Sequence, residues 1–242
     1  MTKTLFNGDY SSLNLFASNG ATPTGGTSLD ARYITALYGD YLGRAPSSDD
    51  INFWEARLAA GYPRGSISAG FVGSDEYRLD RIDAAYQSIL GRAPDPRGRV
   101  NWLNTMRAGV ITTDDIETSL YASQEYFLQH GSTAARQHGS TNTGFVASLY
   151  PTLLGRQCGA SDYSFWSQLA AQNGRDWVIA CFWDSTETIT ERVNAMYKVY
   201  LGRSLDPSDL QTWVNLALQI GDSGLRAGIT GSDEYFNRAQ TR

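Results

Sequence analysis

Four times in this 242-residue chain a Gly-Arg pair is followed by a tryptophan eleven residues after the glycine, and no other feature restricts the fold so strongly. The glycines are Gly43, Gly91, Gly155 and Gly202, and the tryptophans are Trp54, Trp102, Trp166 and Trp213. Each pair is preceded by Tyr-x-x-x-Leu, starting at Tyr38, Tyr86, Tyr150 and Tyr197. Each is followed, 30 to 32 residues past the glycine, by Ser-x-Glu, whose acids are Glu76, Glu125, Glu187 and Glu234. Self-similarity at such spacing marks a supersecondary unit that buries its apolar face against its own copies. The glycines lie 48, 64 and 47 residues apart. An insertion of small polar residues, 131–143, accounts for the long middle interval and reads as a linker.

The unit reads as helical. Before the second Leu-Gly-Arg, the segment Ile82-Asp-Ala-Ala-Tyr-Gln-Ser-Ile-Leu90 is apolar at i, i+3, i+4 and i+7. The glycine then supplies the left-handed residue that stops a helix. Four residues past it stand Ser47, Asp95, Gly159 and Asp206, placed to cap a second helix. The tryptophan falls two turns into that helix, on its apolar face, as a core residue. A turn follows at Gly61, Gly109, Gly174 or Gly221, then a short third helix ending at Phe71, Tyr121, Phe182 or Ile229. The serine of Ser-x-Glu caps the next helix, with the acids at its positive end.

The expected fold is all-α: four tandem three-helix repeat units arranged as two pairs, with an irregular N-terminal tail. Residues 29–130 hold repeats 1 and 2, and 144–242 hold repeats 3 and 4. The extended Gly/Ser/Thr-rich tail, residues 1–28, is too polar to fold alone. It either packs on its own chain, stays unstructured, or is an arm offered to a neighbouring subunit.

Composition excludes several partners. The chain is 41% apolar, enough for a packed core, and its net charge of −5 carries no basic run. That gives no electrostatic footprint for nucleic acid or an anionic membrane surface. No apolar run approaches the roughly 20 residues of a membrane-spanning helix, so membrane insertion is not expected. The residues after Met1 lack the apolar core of a secretory signal. A cytoplasmic protein, a removed signal and another export route all fit.

Candidate chemistry is sparse. Arg44, Arg92, Arg156 and Arg203, with the four glutamates, are the charged residues kept in every copy. They either form bidentate ion pairs that fix the shape of each unit or bind an anionic or sugar ligand. Trp177 and Trp183, found in the third copy alone, are candidate surface aromatics for sugar stacking, with a core position as the alternative because Trp183 lies beside Asp184 just before the Ser-x-Glu cap. His130 and His138 flank the linker without a rigid carboxylate partner, a poor basis for a metal site or general base. The acidic loops lack the oxygen spacing of a calcium loop, and helix capping explains them. No cofactor, metal or catalytic constellation is expected, and the chain does not read as an enzyme. Cys158 replaces the proline that follows Gly-Arg-Ala in the first two copies, and Cys181 ends the third helix of the same copy. A disulfide between them, or two buried thiols, are the alternatives.

Leu-Gly-Arg, Pro-Asp-Pro-x-Gly, Trp and Phe-x-x-Ser-x-Glu-Tyr together resemble the bacterial domain of unknown function 4214. The second copy fits best, through Gly91, Arg92, Pro94, Asp95, Pro96, Gly98, Trp102, Ser123 and Glu125. The third departs most, with Gln157-Cys158-Gly159 in the loop and Thr188 for the last aromatic. The resemblance implies an extracellular or cell-surface setting and a binding or scaffolding role, and it brings no catalytic residues. The expected function is therefore a non-catalytic surface module for self-assembly or adhesion, with self as partner through the tail or the repeat faces. The alternative is a glycan-binding module for surface or extracellular polysaccharide.

Overall fold

Local signals at the helix ends decide where each element begins and stops. In the computed structural model, which describes residues 28–131 and 141–242, these residues form helices and connecting turns, with no strand among them. The tail and most of the linker, including His138, lie outside the described residues.

The first copy of the motif comprises α1 (Leu29–Leu42), α2 (Ser48–Ala59) and α3 (Arg64–Val72). α4 (Asp75–Ala85) runs through a wider π-type turn at Tyr86–Leu90 into the second motif, continued by α5 (Pro96–Arg107) and α6 (Thr113–Ala122). After α7 (Gln124–His130) come α8 (Asn142–Leu153), α9 (Ala160–Asn173) and α10 (Arg175–Trp183). α11 (Thr186–Tyr200), α12 (Leu210–Thr230) and α13 (Asp233–Ala239) complete the chain. α12 is broken at Gly221, whose φ of 67° and ψ of 179° are not helical.

All four motif glycines stop their helices in the left-handed region, with φ of 62°, 68°, 62° and 70°. The helix starts are capped as their side chains dictate. The Asp50 N–H, which has no carbonyl acceptor in the first turn, donates to Ser47 Oγ (3.2 Å), while the Ser47 N–H donates to Asp50 Oδ2 (2.9 Å). The serines of Ser-x-Glu accept from the backbone N–H three residues on: Tyr77, Tyr126, Thr188 and Tyr235, at 3.1–3.2 Å.

The described chain forms two compact units. One combines the residues up to Asp80 with Val193–Arg242, and the other is Arg81–Arg192. The first motif thus shares a unit with the fourth, and the second with the third. This differs from the sequence-adjacent pairing expected, because the pairing surfaces are third helices whose partners are remote in sequence.

In the first unit α3 packs on α12, and Gly231 comes so close to Gly65 that a Cβ there would lie 2.6 Å from the Gly65 Cα. Buried tyrosines fill the seam: Tyr41 contacts Tyr200 and Tyr33 contacts Tyr235, both at 6.0 Å between rings. Tyr41 Oη and Thr230 Oγ1 share a hydrogen bond of 2.8 Å, and Tyr235 Oη donates to Asp40 (2.8 Å).

In the second unit α6 packs on α10 and α8 on α9. Phe145, Val146, Leu149, Ile116 and Val178 are among its fully enclosed side chains.

Candidate functional site

The repeated Gly-Arg, the tyrosine before it and the Ser-x-Glu acid converge in each copy. The glycine turns the chain so that the arginine folds back over the tyrosine ring six residues earlier. Guanidinium-to-ring distances are 4.8 Å for Arg44 on Tyr38, 5.2 Å for Arg92 on Tyr86, and 4.9 Å for both Arg156 on Tyr150 and Arg203 on Tyr197. Each guanidinium then makes a two-pronged bond to the glutamate at the next helix start. Arg44 reaches Glu76 at 2.6 and 2.9 Å, and Arg92 reaches Glu125 at 2.6 Å twice. Arg156 reaches Glu187 at 2.5 and 3.0 Å, and Arg203 reaches Glu234 at 2.5 and 2.7 Å. In three copies the remaining nitrogen donates to the carbonyl of the next residue, Ala45, Ala93 or Ser204.

In three copies the tryptophan adds to the cluster through the same tyrosine. Trp102 Nε1 donates to Tyr86 Oη at 3.1 Å, and Trp54 Nε1 to Tyr38 Oη at 3.4 Å. Trp213 meets Tyr197 edge to face at 5.4 Å, and Trp166 meets Phe182 at 4.9 Å. Of the four, Trp213 is buried and the others are half-buried. Trp54 also rests on Gly70, where a Cβ would lie 2.8 Å from its ring.

Electrostatics follow these contacts. The arginine bonds hold the carboxyls of Glu76, Glu125 and Glu234 below their ordinary range, and the glutamates raise all four arginines. The Ser47 backbone N–H, with the nearby hydroxyls and Arg44, lowers Asp50 to about 2. Burial pushes Tyr150 and Tyr197 up to about 12. Each guanidinium therefore has its edge on a carboxylate and its face on a ring. A ligand for it would have to displace the chain's own glutamate.

The other sequence candidates are placed differently from one another. Trp177 stands on α10 with 42% of its surface exposed. Trp183 takes the core alternative: it is 3% exposed at the end of α10, with the Arg192 guanidinium 4.0 Å above its ring. Of the two alternatives for Cys158 and Cys181, the free thiols are found, and both are half-buried. They occupy separate environments: Cys158 lies beside Tyr150 and Asp162, and Cys181 near Asp184, and burial raises both thiols. His130 stacks on Tyr126 at 4.4 Å, a packing role.

Sequence reading overlooked two arginines. Arg64 opens α3, pairs with Asp233 and lies 4.3 Å over Phe236. Arg175 opens α10, donates to Gln124 (2.9 Å) and to the Ala122 carbonyl (3.3 Å), and lies 4.4 Å over Phe127. Asp233 and Gln124 are the same position of Ser-x-Glu, as are Phe236 and Phe127. Arg64 and Arg175 each stand ten residues before the serine of their own Ser-x-Glu, the signal that could have found them. Exposed Phe53 and Phe165, at 48% and 58%, were also overlooked; each abuts the adjacent motif tryptophan, at 4.9 and 5.2 Å.

An open groove of about 540 Å³ in the second unit is lined by Asp83, Ala84, Gln87, Ala93, Pro94 and Arg99. Arg99 holds Asp83 there with two bonds of 2.7 and 2.6 Å. Among the described residues no group of His, Cys, Asp and Glu is placed to hold a metal, and no helix is long and apolar enough to cross a membrane.

No curated protein and no solved structure matches the chain. The domain of unknown function DUF4214 matches residues 12–81, 78–130 and 127–192. These segments cover the first three Gly-Arg motifs and most of the sequence, and the chain belongs to the DUF4214 family.

Proposed function

We propose that the chain is a non-catalytic extracellular or cell-surface module, built of four copies of a three-helix unit, that acts through self-assembly or adhesion. The observation that carries this reading is the internal use of the repeated charges: each Arg is bound by its own Glu and stacked on its own Tyr. What recurs in the sequence thus builds the unit, and binding is left to residues that differ among copies. Deleting residues 1–28 and measuring mass by light scattering, with electron microscopy of the particles, tests it. The expected outcome is loss of higher-order particles in the deletion. A chain that is monomeric with and without the tail overturns the assembly reading.

The alternative, a polysaccharide-binding module, is favoured by the exposed aromatics Phe53, Phe165 and Trp177. Flat exposed rings suit the apolar faces of sugars. In that case Trp177→Ala weakens binding on a glycan array about tenfold, the equivalent of about 1.4 kcal/mol. Absence of any array signal for the unmodified chain removes this reading.

A further inference from the structure

We propose that the open groove of the second motif copy binds a neutral sugar, recognised by Gln87 and the Asp83–Arg99 pair. The ligand class rests on the polysaccharide-binding reading, while the site is separate from the exposed rings of Phe53, Phe165 and Trp177.

The groove has a volume of about 540 Å³, within the range of roughly 300–1,000 Å³ usual for ligand pockets. Three features set it apart from the same place in the other copies. Asp83 stands where the others carry Thr35, Ala147 and Asn194, and Arg99 where they carry Ile51, Tyr163 and Leu210. The opposed carboxylate and guanidinium thus belong to this copy alone. Among the described helices that precede Gly-Arg, this one turns through a π-type segment, Tyr86–Leu90, whereas α1, α8 and α11 do not. Such turns within helices concentrate at functional sites. Gln87, on that turn, is exposed and lines the groove, and its side-chain amide makes no hydrogen bond among the described residues.

The polar groups select a neutral, hydroxylated ligand. Asp83 accepts from Arg99 once on each oxygen, at 2.7 and 2.6 Å. Each carboxylate oxygen keeps a second lone pair. In the fourth copy the equivalent Asn194 is taken up by the chain itself, accepting from the Leu205 N–H at 3.0 Å. Pro94 stands at the position of Leu205 and has no N–H to donate. A hydroxyl can donate to Asp83 without opening the fork to Arg99. An anion would meet Asp83 and a cation Arg99, so charge of either sign is disfavoured. The Gln87 amide offers a donor and an acceptor, as a sugar hydroxyl does. Ala84, Ala93 and Pro94 give small apolar walls for the C–H face of a sugar ring, and no aromatic lines the groove to select a planar ligand.

NMR titration of the nitrogen-labelled full chain with cellobiose, maltose and lactose tests the site. The expected result is that at least one of these sugars shifts the Gln87 side-chain amide and the backbone signals from Asp83 to Arg99. Gln87→Ala should weaken that binding about tenfold, as loss of one or two hydrogen bonds does, with urea unfolding unchanged. The double variant Asp83→Ala/Arg99→Ala removes the fork without leaving a lone charge and should abolish the shifts. If it fails to fold, Gln87→Ala decides. A pair that only ties α4 to α5 predicts lower stability in the double variant and no sugar-dependent shift in the unmodified chain. Absence of groove shifts with all three sugars overturns the proposal, and so does equal or tighter binding of glucuronic acid or glucosamine there. Shifts confined to the Trp177 indole and the surroundings of Phe53 and Phe165 overturn this site and leave the exposed-ring reading standing. Groove shifts that survive Trp177→Ala separate the two in the other direction.

Discussion

At the scale of single residues, the guanidinium stacked on a tyrosine and clasped by a glutamate sets the shape of each copy. Exposed ion pairs contribute roughly 0–1 kcal/mol, but here the planar fork also fixes a loop against the next helix. Lysine can supply the charge and neither the second bond nor the flat face. Arg203→Lys is expected to cost about 1 kcal/mol in urea unfolding, while Lys198→Arg changes little. The glutamates give a pH signature. The carboxyls of Glu76, Glu125 and Glu234 lie below their ordinary value of 4.5 in the folded chain. Below 4.5 the unfolded chain therefore binds more protons, so stability rises with pH through this range. Their contribution is complete above it and is lost as pH falls through the lower folded values. Unfolding free energy measured from about pH 6 to about pH 3 should fall, and fall less steeply in Glu76→Gln. An unchanged slope in that variant would show that the pair at Glu76 does not form.

At the scale of elements, much of the fold was legible because its signals are local. Gly43, Gly91, Gly155 and Gly202 stop helices where read, and Ser47, Asp95 and Asp206 accept cap bonds where read. Packing was less legible. The core position near the end of α6 is Leu120, 4% exposed, one residue before the expected Tyr121, because it stands three residues before Ser123 just as Phe71, Phe182 and Ile229 stand before their own serines. Three motif tryptophans stay half-buried, since they cover the edge of the tyrosine and keep a face to solvent. The π-type turn at Tyr86–Leu90 has no counterpart signal in its sequence. Two glycines at the α3–α12 contact separate backbone freedom from space. A Cβ on Gly65 meets nothing within 4 Å, so Gly65→Ala should stabilise by a few tenths to about 1 kcal/mol. Gly231 has an ordinary φ of −82°, yet its Cβ would lie 2.7 Å from the Gly65 nitrogen. Gly231→Ala should therefore cost about 2 kcal/mol as the backbones separate. Thermal unfolding of both variants checks the pair, and equal effects would place the contact elsewhere.

At the scale of the whole molecule, the pairing of copies was the least legible level. Internal duplication makes every copy look like a partner for its neighbour, and the linker at 131–143 suggests a joint between adjacent pairs. What selects partners is carried by few residues: Arg64 against Asp233 and Phe236, Arg175 against Gln124 and Phe127, and Tyr41 against Tyr200. Such contacts span up to 211 residues, as in Gln240–Leu29, and no window along the sequence contains both sides. The consequence can be tested by cutting the chain. Adjacent pairing would make the halves on either side of the linker independent, so a cut there would release them. The observed units each draw chain from both sides of it: one joins the first motif to the fourth, and the other joins the second to the third. A protease site inserted within residues 132–140 and cleaved in the folded protein should therefore leave both fragments in one particle on size exclusion. They should part only in denaturant, since two buried seams must open together. Separation of the fragments in native buffer would return the molecule to two sequence-adjacent halves.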